Sequence, residues 1–387
     1  MTQVSTQVSG DWLTRPGTRG VMRMLERGGH QAWLVGGCVR DALMQREIGD
    51  IDITTDAPPD RVTGLAQAAG FRAVPTGLDH GTVTVIAHGI PHEVTTLRRD
   101  VATDGRHATV VYATSIEDDA RRRDFTMNAL YADSAGHVRD PMGGIADIAE
   151  RHVRFIGDPH DRIAEDYLRI LRFFRFHAWF GDPHRGLNAE GYAAAAELGE
   201  GVDRLSRERV GAEMKKLLAA PDPGPAVASM AAAGILPRIL PGAEDRALGP
   251  LVHLEGDIGV MADPLRRLAV LGGVEAADYL RLSRKEERRL TLLRAGIGDE
   301  AGTAELAYRH GAEAARDIEL LRAASFGAPI SATLEEDIAN GAAAEFPVKP
   351  RDLMPGLQGP ALGRRLSELE ARWIASGFEL SRDALLA

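Results

Sequence analysis

Two aspartates separated by one residue are the first sign of chemistry in this chain. The stretch GDIDITTD, residues 49–56, holds Asp50 and Asp52 among isoleucines and threonines, which favour strands. Strand side chains alternate between faces, so both aspartates point one way while Ile51 and Ile53 point into a core. Carboxylates this close repel each other, and a divalent cation that prefers oxygen ligands, such as Mg²⁺, removes the repulsion. The pair indicates a metal site for phosphoryl transfer or, taken alone, a charged strand edge that blocks aggregation.

A candidate phosphate site precedes the aspartates. LVGGCVRD ends a predicted strand at Gly36 and Gly37 and begins a helix that carries Arg40. Glycine lets the backbone approach a phosphate, a helix N-terminus favours anions, and a guanidinium group matches phosphate oxygens in pairs. The alternative for the glycine pair is a tight strand-to-helix turn. The chain lacks the G-x-x-x-x-G-K-[ST] pattern, which excludes a P-loop nucleotidase.

Arginines are concentrated in two later segments. RRRDFTMNAL, residues 121–130, places three arginines beside Asp124 and Asn128, and its alternative interpretation is a surface turn that caps a helix over residues 125–130. In the second segment, residues 158–180, an aspartate cap and a following proline predict the start of an apolar helix.

Within that helix, Arg169, Arg172 and Arg175 recur every third residue, and Asp166 lies one step before them. Three residues fall about 60° short of a full helical turn, so the arginines form a slanting stripe. Charges on so apolar a helix need partners, either in a buried ion-pair network or from a bound anion. The arginines outnumber the acidic residues beside them, which favours an anionic ligand.

The elements that must position these residues change character along the chain. The first third alternates predicted strands and helices, including a hairpin that turns at His88-Gly89. From about Ile148 onward the pattern is helical, and proline-containing stretches at 221–225 and 347–355 predict breaks. The predicted fold class is α+β, with a mixed β-sheet head followed by an all-α part.

Composition limits the class of protein. The length of 387 residues predicts two or three domains, and the hydrophobic content of 44% and charged content of 26% are ordinary for a globular protein with a sizeable core. A single cysteine, Cys38, excludes an internal disulfide framework and a cysteine zinc cluster. With no apolar run long enough for a membrane span and no apolar leader, we expect no membrane partner and a cytoplasmic location. The net charge of −10 argues against nucleic-acid binding by charge alone. The basic stretch 280–294 is interpreted as a solvated helix face or a phosphate-contacting patch.

Taken together, the motifs resemble those of the class II tRNA nucleotidyltransferase/poly(A) polymerase family, most of all its bacterial CCA-adding members. LVGGCVRDAL, GDIDITTD, RRRDFTMNAL, DPMGGIADI and EDYLRILRFFRF occur in this order over roughly residues 30–180. The resemblance implies a catalytic nucleotidyltransferase head over residues 1–147. It also implies a helical neck over 148–220 for base recognition and a helical body and tail over 221–387 for tRNA binding. The implied reaction adds C, C and A to the tRNA 3′ end from CTP and ATP and releases pyrophosphate.

The resemblance also assigns residues. It implies that Asp50 and Asp52 are the catalytic carboxylates and bind Mg²⁺, and that Asp166 and Arg169 read the base. Further nucleotide-binding residues are predicted to be Gly36, Gly37, Arg40, Arg123, Asp124, Asn128, Arg172 and Arg175.

Hydrogen-bond chemistry supports an aspartate–arginine pair as a template for two bases. Cytosine and adenine both present an exocyclic amine beside an acceptor nitrogen, which Asp166 and Arg169 complement. Guanine and uracil would leave buried polar groups unpaired, at about 1–3 kcal/mol each.

Two further segments remain open from the sequence. Glu93 is a candidate third carboxylate or an ion-pair partner of Arg98. The segment 99–108 resembles the loop that the family associates with switching from C to A, which favours full CCA addition.

Other functions also remain open. Poly(A) polymerase and split CC- or A-adding enzymes share the chemistry, whereas a catalytically silent RNA-binding module would not need the metal ligands and base readers together. The sequence leaves the oligomeric state unknown.

Overall fold

The computed structural model describes residues 6–77, 81–104, 107–354 and 356–387, with 100–104 and 107–110 described by backbone alone. The chain forms two compact units, Met1–Pro241 and Gly242–Ala387. The first unit contains a mixed sheet followed by helices, and the described part of the second is helical. The predicted α+β class is confirmed.

The sheet of the first unit combines parallel and antiparallel pairing. Seven strands lie in the order β3-β4-β5-β2-β1-β8-β9, in which β2 and β5 are parallel and the other neighbours antiparallel, and β6 pairs separately with β7. The strands are β1 (Trp33–Val35), β2 (Asp52–Thr55), β3 (Arg72–Gly77), β4 (Thr82–Ala87), β5 (Ile90–Thr96), β6 (Arg98–Asp104), β7 (His107–Tyr112), β8 (Tyr131–Ala132) and β9 (Val138–Arg139).

The head contains two hairpins, β4–β5 and β6–β7, and only the first was predicted as a hairpin. The hairpin predicted around His88-Gly89 is confirmed, because both residues adopt positive φ (52° and 78°), as a tight two-residue turn requires. The segment 99–108, expected to be a loop, instead contributes to the paired strands β6 and β7, and this expectation was wrong for the described part. Its Val101 and Thr103 favour extended structure. Residues 105 and 106 lie outside the described residues.

Helices cover the sheet and make up most of the remaining chain. Those of the first unit are α1 (Asp11–Thr14), α2 (Pro16–Arg27), α3 (Gly37–Leu43), α4 (Pro59–Ala68), α5 (Ile116–Arg121), α6 (Gly144–Ala149), α7 (Pro159–Glu165), α8 (Leu168–Phe180), α9 (Ala189–Glu197), α10 (Arg207–Leu218), α11 (Gly224–Ala232) and α12 (Leu236–Ile239). The described residues also include two 3₁₀ helices, Thr126–Asn128 between α5 and β8 and Gly199–Arg204 between α9 and α10. The first replaces the longer helix considered over 125–130.

Helices α2 and α4 pack on one face of the sheet and leave Asp52 on the other. Ile53 lies opposite Val94 in register, and the next inward residue of β5, His92, bonds to Thr18 of α2 at 3.2 Å. Because side chains alternate along a strand, Asp52 points to the face away from α2.

The predicted helix over 159–180 is interrupted. Asp158 caps α7 as expected, but Asp166 is extended (φ −154°, ψ 106°) and separates α7 from α8. The side chain of Asp166 accepts a hydrogen bond from the Leu168 N–H at 3.1 Å, and such local bonding competes with helix continuation. Beyond the break, the phenylalanines of α8 pack against Phe125 and Phe155, with the Phe155 and Phe173 ring centroids 5.4 Å apart.

The second unit buries charges as well as apolar side chains. Its helices are α13 (Leu248–Asp257), α14 (Pro264–Leu271), α15 (Ala276–Tyr279), α16 (Arg284–Ile297), α17 (Thr303–His310), α18 (Ala312–Phe326), α19 (Leu334–Ala343), α20 (Pro350–Leu353), α21 (Gly359–Ala375) and α22 (Arg382–Leu386). Arg266 is buried and bonds to Glu255 and Asp317, both of which are also buried.

The basic stretch 280–294 belongs mainly to α16. Arg289 bonds to Asp263 and Asp317, whereas Arg284 and Lys285 are exposed. Part of the stretch is therefore a solvated face, and phosphate contact remains a prediction. No helix in the described part of the chain is long and apolar enough to cross a membrane.

Candidate active site

The carboxylates Asp52, Glu93 and Asp50 lie together where β2 begins. Asp52 is the first residue of β2 and Glu93 lies opposite it in the parallel register with β5. Asp50 is exposed and lies two residues before the start of the strand. Burial raises the pKa of Asp52 to about 6, and the charges of Glu93 and Asp50 add to this effect against the opposing charge of Arg123.

This donor set fits a hard cation that is shared with a ligand. The three side chains supply carboxylate oxygens, and burial together with the charges of Glu93 and Asp50 raises the pKa of Asp52 in spite of the nearby Arg123. Within the described ranges, no group of three or more His, Cys, Asp or Glu lies close enough together to hold an ion by itself. Mg²⁺ is commonly held by one or two carboxylates and completed by substrate phosphates and water. The carboxylates therefore fit a Mg²⁺ ion that is shared with a phosphate ligand.

Gly36 forms the turn between β1 and α3. Its φ of 74° is strained for any residue with a Cβ, and its N–H donates to the Leu130 carbonyl at 3.1 Å. A Cβ at Gly36 would lie 3.5 Å from Nη1 of Arg123. The interpretation of the glycine pair as a strand-to-helix turn is thus confirmed. The turn brings Gly36 next to Arg123 of the segment RRRDFTMNAL.

Arg40 is committed to partners within the protein. The side chain is 8% exposed, bonds to Asp41 and donates to Oδ1 of Asn128 at 2.7 Å. Its guanidinium carbon lies 3.9 Å from the Phe180 ring centroid. Burial lowers the pKa of Arg40, and the carboxylate of Asp41 partly offsets this. Direct phosphate contact by Arg40 remains a prediction that requires its donors to exchange partners.

Arg123 is held by a buried carboxylate that the sequence reasoning missed. Its Nε and Nη2 bond to Oδ2 of Asp119 at 3.1 and 3.0 Å, and Tyr131 donates to the same oxygen at 2.8 Å. Burial acts to raise the pKa of Asp119, but the charges of Arg123 and Arg122 outweigh it and the pKa is lowered. The signal was present as the i,i+4 spacing of Asp119, on α5, and Arg123, two residues beyond the end of that helix.

Asp124 connects the head to α8. It accepts hydrogen bonds from Nε of Arg172 at 2.8 Å, Nδ2 of Asn128 at 3.0 Å and the Phe125 N–H at 2.8 Å. Although burial acts to raise the pKa of Asp124, the charge of Arg172 and these bonds hold it well below its ordinary value. Because Asn128 also accepts from Arg40, four predicted site residues form one network.

Each arginine of the stripe on α8 has a carboxylate partner. Arg169 bonds to Glu165, Arg172 bonds to Asp124, and Arg175 bonds to Glu213 at 2.5 Å. The inference that the arginines outnumber their acidic partners was wrong, because Asp124 and Glu213 come from elsewhere in the chain. The ion-pair network is therefore the arrangement found here.

The predicted base-reading residues also have other partners. Asp166 accepts from Nη2 of Arg209 on α10 at 2.6 Å, while Arg169 donates to the Arg162 carbonyl at 2.7 Å. Asp166 and Arg169 lie in the same backbone turn, because the Arg169 N–H donates a hydrogen bond to the Asp166 carbonyl at 3.0 Å. Arg209 was missed because its relation to Asp166 is set by the packing of α10 against α8.

Arg162 was missed as well, although it joins the same site. From α7 it donates to the carbonyls of Arg122 and Arg123, at 2.5 and 2.8 Å, and it bonds to Glu165. The segment that carries Arg123 is thereby fixed to α7, the helix that ends just before Asp166.

Comparison with known proteins places the site in a family. Residues 32–154 match the family described as "Poly A polymerase head domain", and residues 188–246 match "Probable RNA and SrmB- binding site of polymerase A". The chain is 32% identical over 398 residues to the mouse (Mus musculus) CCA tRNA nucleotidyltransferase 1, mitochondrial. That alignment covers 97% of this chain and 90% of the mouse protein.

Other similarities are partial in length or identity. The CCA-adding enzyme of Anoxybacillus flavithermus is 40% identical over 210 residues, covering 54% of this chain, and the chain spans about half (51%) of that relative. Among solved structures, the Bacillus stearothermophilus CCA-adding enzyme in complex with CTP superposes with a TM-score of 0.72 at 28% identity, covering 93% of this chain and 92% of that one.

Proposed function

The chain belongs to the class II tRNA nucleotidyltransferase/poly(A) polymerase family, and from that premise we propose that it adds C, C and A to the 3′ end of tRNA. The substrates are CTP, ATP and a tRNA end, and pyrophosphate is released. The names of the mouse and Anoxybacillus relatives and the CTP complex of the Bacillus enzyme support these substrates.

One observation carries the proposal. Asp52, with its pKa raised to about 6 beside Glu93 and Asp50, lies near Arg123, whose charge acts on it. A largely buried carboxylate with two further carboxylates beside it, next to a cationic group at a glycine turn, suits a metal–triphosphate ligand better than a structural ion pair.

We propose that Asp50 and Asp52 hold Mg²⁺, with Glu93 as a third carboxylate. The bound ion supplies Lewis-acid polarisation and lowers the pKa of an attacking hydroxyl. The backbone at Gly36 leaves space beside Arg123 for phosphate oxygens, and the guanidinium neutralises charge as the α-phosphate is attacked in line. Arg40 and Asn128 fix the helix that follows the turn.

Base choice is proposed to rest on Asp166 and Arg169. Because Asp166 is bonded to Arg209 and Arg169 to Glu165, a base must exchange places with these partners or use their remaining hydrogen-bonding capacity. Arg209, which was not predicted from the sequence, is therefore a positioning residue for the base-reading pair Asp166 and Arg169.

The proposal is tested with tRNA lacking its last one, two or three nucleotides and labelled CTP or ATP. We expect ordered growth to CCA by the wild type and loss of both incorporations in Asp50→Ala, with tRNA binding kept. Asp60→Ala, an exposed aspartate on α4, is the matched control and should retain activity. Near-normal turnover by Asp50→Ala would contradict the metal assignment.

The same assay separates the related enzymes. Tailing of unrelated RNA from ATP alone would indicate a poly(A) polymerase, and growth that stops at CC or needs a CC end would indicate a split enzyme. Binding without incorporation would indicate a silent RNA-binding module.

The finer assignments belong to the same proposal. Residues 1–147 carry catalysis, 148–220 base recognition and 221–387 tRNA binding. The second family match, residues 188–246, supports RNA contact around the junction of the last two. We also propose a cytoplasmic location, which the single cysteine supports and cell fractionation would test.

A further inference from the structure

A basic groove lies beside α2 and α4, on the face of the sheet that these helices cover. It encloses about 800 Å³. We call it the arginine groove, and its charged and aromatic lining consists of Arg19, Arg23, Arg27, Arg61, Phe71 and His88. Because Asp52 points to the opposite face of the sheet, the groove is separate from the candidate active site.

The charge of the groove is unbalanced. The described residues that line it include four arginines and no aspartate or glutamate, in a chain whose net charge is −10. The four arginines are exposed, and the ion pairs and side-chain hydrogen bonds found among the described residues involve none of them. Four cations gathered without carboxylates repel one another, so the arrangement favours an anionic ligand.

The spacing of the arginines suits a strand better than a compact anion. Arg19, Arg23 and Arg27 follow one another at intervals of four residues on α2. Four residues rise about 6 Å along a helix, so the three side chains form a row about 12 Å long. A nucleic-acid strand carries phosphates at regular intervals along its length, whereas one nucleotide concentrates them at one end.

Aromatic groups flank this row. The Phe71 ring lies against Gly20 so closely that a Cβ there would be 2.9 Å from it. His88 projects from the β4–β5 turn with its ring centroid 6.0 Å from that of Phe71. Bases of single-stranded RNA stack on such rings and on arginine guanidinium planes.

We propose that the arginine groove binds a segment of single-stranded RNA, with phosphates on the arginines of α2 and a base against Phe71 and His88. This inference goes beyond the proposed function, since it concerns the face of the sheet remote from the catalytic carboxylates. RNA held there would add to the affinity for substrate or keep the enzyme on RNA between rounds.

A local probe tests the proposal without nucleotides or divalent ions, so its result is independent of catalysis. Cys38 is buried, which allows an introduced cysteine to be labelled selectively. Ala68→Cys in the groove and Ala135→Cys at the exposed β8–β9 turn each receive a photo-crosslinker. A labelled oligouridine of about twelve nucleotides, long enough for a single-strand site, is then added to the full chain.

We expect crosslinking at Ala68→Cys to exceed that at Ala135→Cys about tenfold and to fall about tenfold when Arg19→Glu and Arg23→Glu are combined with it. The same pair of changes should lower the salt dependence of groove binding by about 1.4 logarithmic units per decade of salt, the contribution of two phosphate contacts. Arg15→Glu with Arg72→Glu, two exposed head arginines outside the groove, is the control of equal charge and should change neither value. Arg19→Gln with Arg23→Gln repeats the test without charge reversal.

Three results would overturn the proposal. These are equal crosslinking at the two cysteines, crosslinking unaffected by the groove variants, and displacement of the oligouridine from Ala68→Cys by CTP or by polyglutamate. The last result would assign the groove to a mononucleotide or to an acidic protein segment.

Discussion

The two sets of arginines in the first unit have similar composition and opposite surroundings. Arg123, Arg172 and Arg175 have largely buried side chains, and each bonds to a carboxylate. Arg19 and Arg23 on α2 are exposed in a groove whose described lining has no carboxylate. A run of arginines therefore does not by itself indicate an anion site. Whether the guanidinium groups can bind an anion depends on whether they already bond to carboxylates of the protein.

The difference has energetic consequences for binding. A ligand at the paired arginines must compete with internal carboxylates, whereas a ligand at the unpaired ones displaces water and counterions. Removing one member of a buried pair leaves an uncompensated charge, but removing an exposed arginine leaves nothing unpaired. Single substitutions can therefore distinguish the two sets.

The largest effect is expected from Asp124→Ala. Removing this carboxylate leaves Arg172, Asn128 and the Phe125 N–H without their partner, and we expect a loss of about 3 kcal/mol in the free energy of unfolding. Urea denaturation near neutral pH measures it. Asp60→Ala, which removes an exposed first-turn charge, should cost less than about 1 kcal/mol. Equal losses in the two variants would show that Asp124 is not a structural centre.

The contribution of Asp124 should also depend on pH. Its pKa is held below the ordinary value, so the stabilisation is present above about pH 4, the unfolded value. It is lost as the pH falls further towards the folded pKa. The wild type and Asp124→Ala should therefore converge in stability in strong acid, as acid titration followed by circular dichroism would report.

A double-mutant cycle on Arg175 and Glu213 is expected to give the next largest effect. Both side chains are largely buried, at 14% and 6% exposure, so we expect a coupling energy of about 1–3 kcal/mol. The pair Arg185 and Glu150, exposed at 63% and 58%, is the matched control and should couple by about 0.5 kcal/mol. Weak coupling in both pairs would contradict the expectation that buried arginine–carboxylate pairs stabilise the fold more than exposed pairs do.

Asp52→Asn removes a carboxylate whose ionised form is disfavoured in the folded protein. Because the folded pKa of Asp52 is raised to about 6, the wild type loses stability as the pH rises through that value, and asparagine removes the effect. We expect the variant to be more stable than the wild type by about 1 kcal/mol at about pH 7.5 without divalent ions, and by less at about pH 5. Added Mg²⁺ should raise the melting temperature of the wild type alone. A destabilised variant at the higher pH would contradict the assignment.

The smallest effect is expected from Arg23→Ala. An exposed side chain without a partner carboxylate should change the free energy of unfolding by less than about 0.5 kcal/mol. Arg172→Ala provides the contrast, since it leaves the buried Asp124 unpaired and should cost several times as much. A large loss in Arg23→Ala would indicate that the groove arginines are structural.

Local structure was largely predictable from the sequence. The strand–glycine–helix turn at Gly36, the hairpin at His88-Gly89 and the capped start of α7 at Asp158 all occur where predicted. Each depends on backbone preferences and hydrogen bonds within a few residues. The break at Asp166 was missed because the aspartate bonds both to the local Leu168 N–H and to Arg209 on another helix.

The sequence by itself determined the chemistry available to this protein: adjacent carboxylates, a glycine turn, and arginines at regular spacing on helices. Only the tertiary structure decided the pairing of Arg172 and Arg175, whereas Arg123 and Arg169 bond to carboxylates four residues before them. The partners of Arg172 and Arg175 lie 48 and 38 residues away along the chain, and the described lining of the arginine groove beside α2 contains no carboxylate. Propensity and spacing act over one or two turns of chain, whereas the contacts that neutralise a buried charge are set by how distant elements pack.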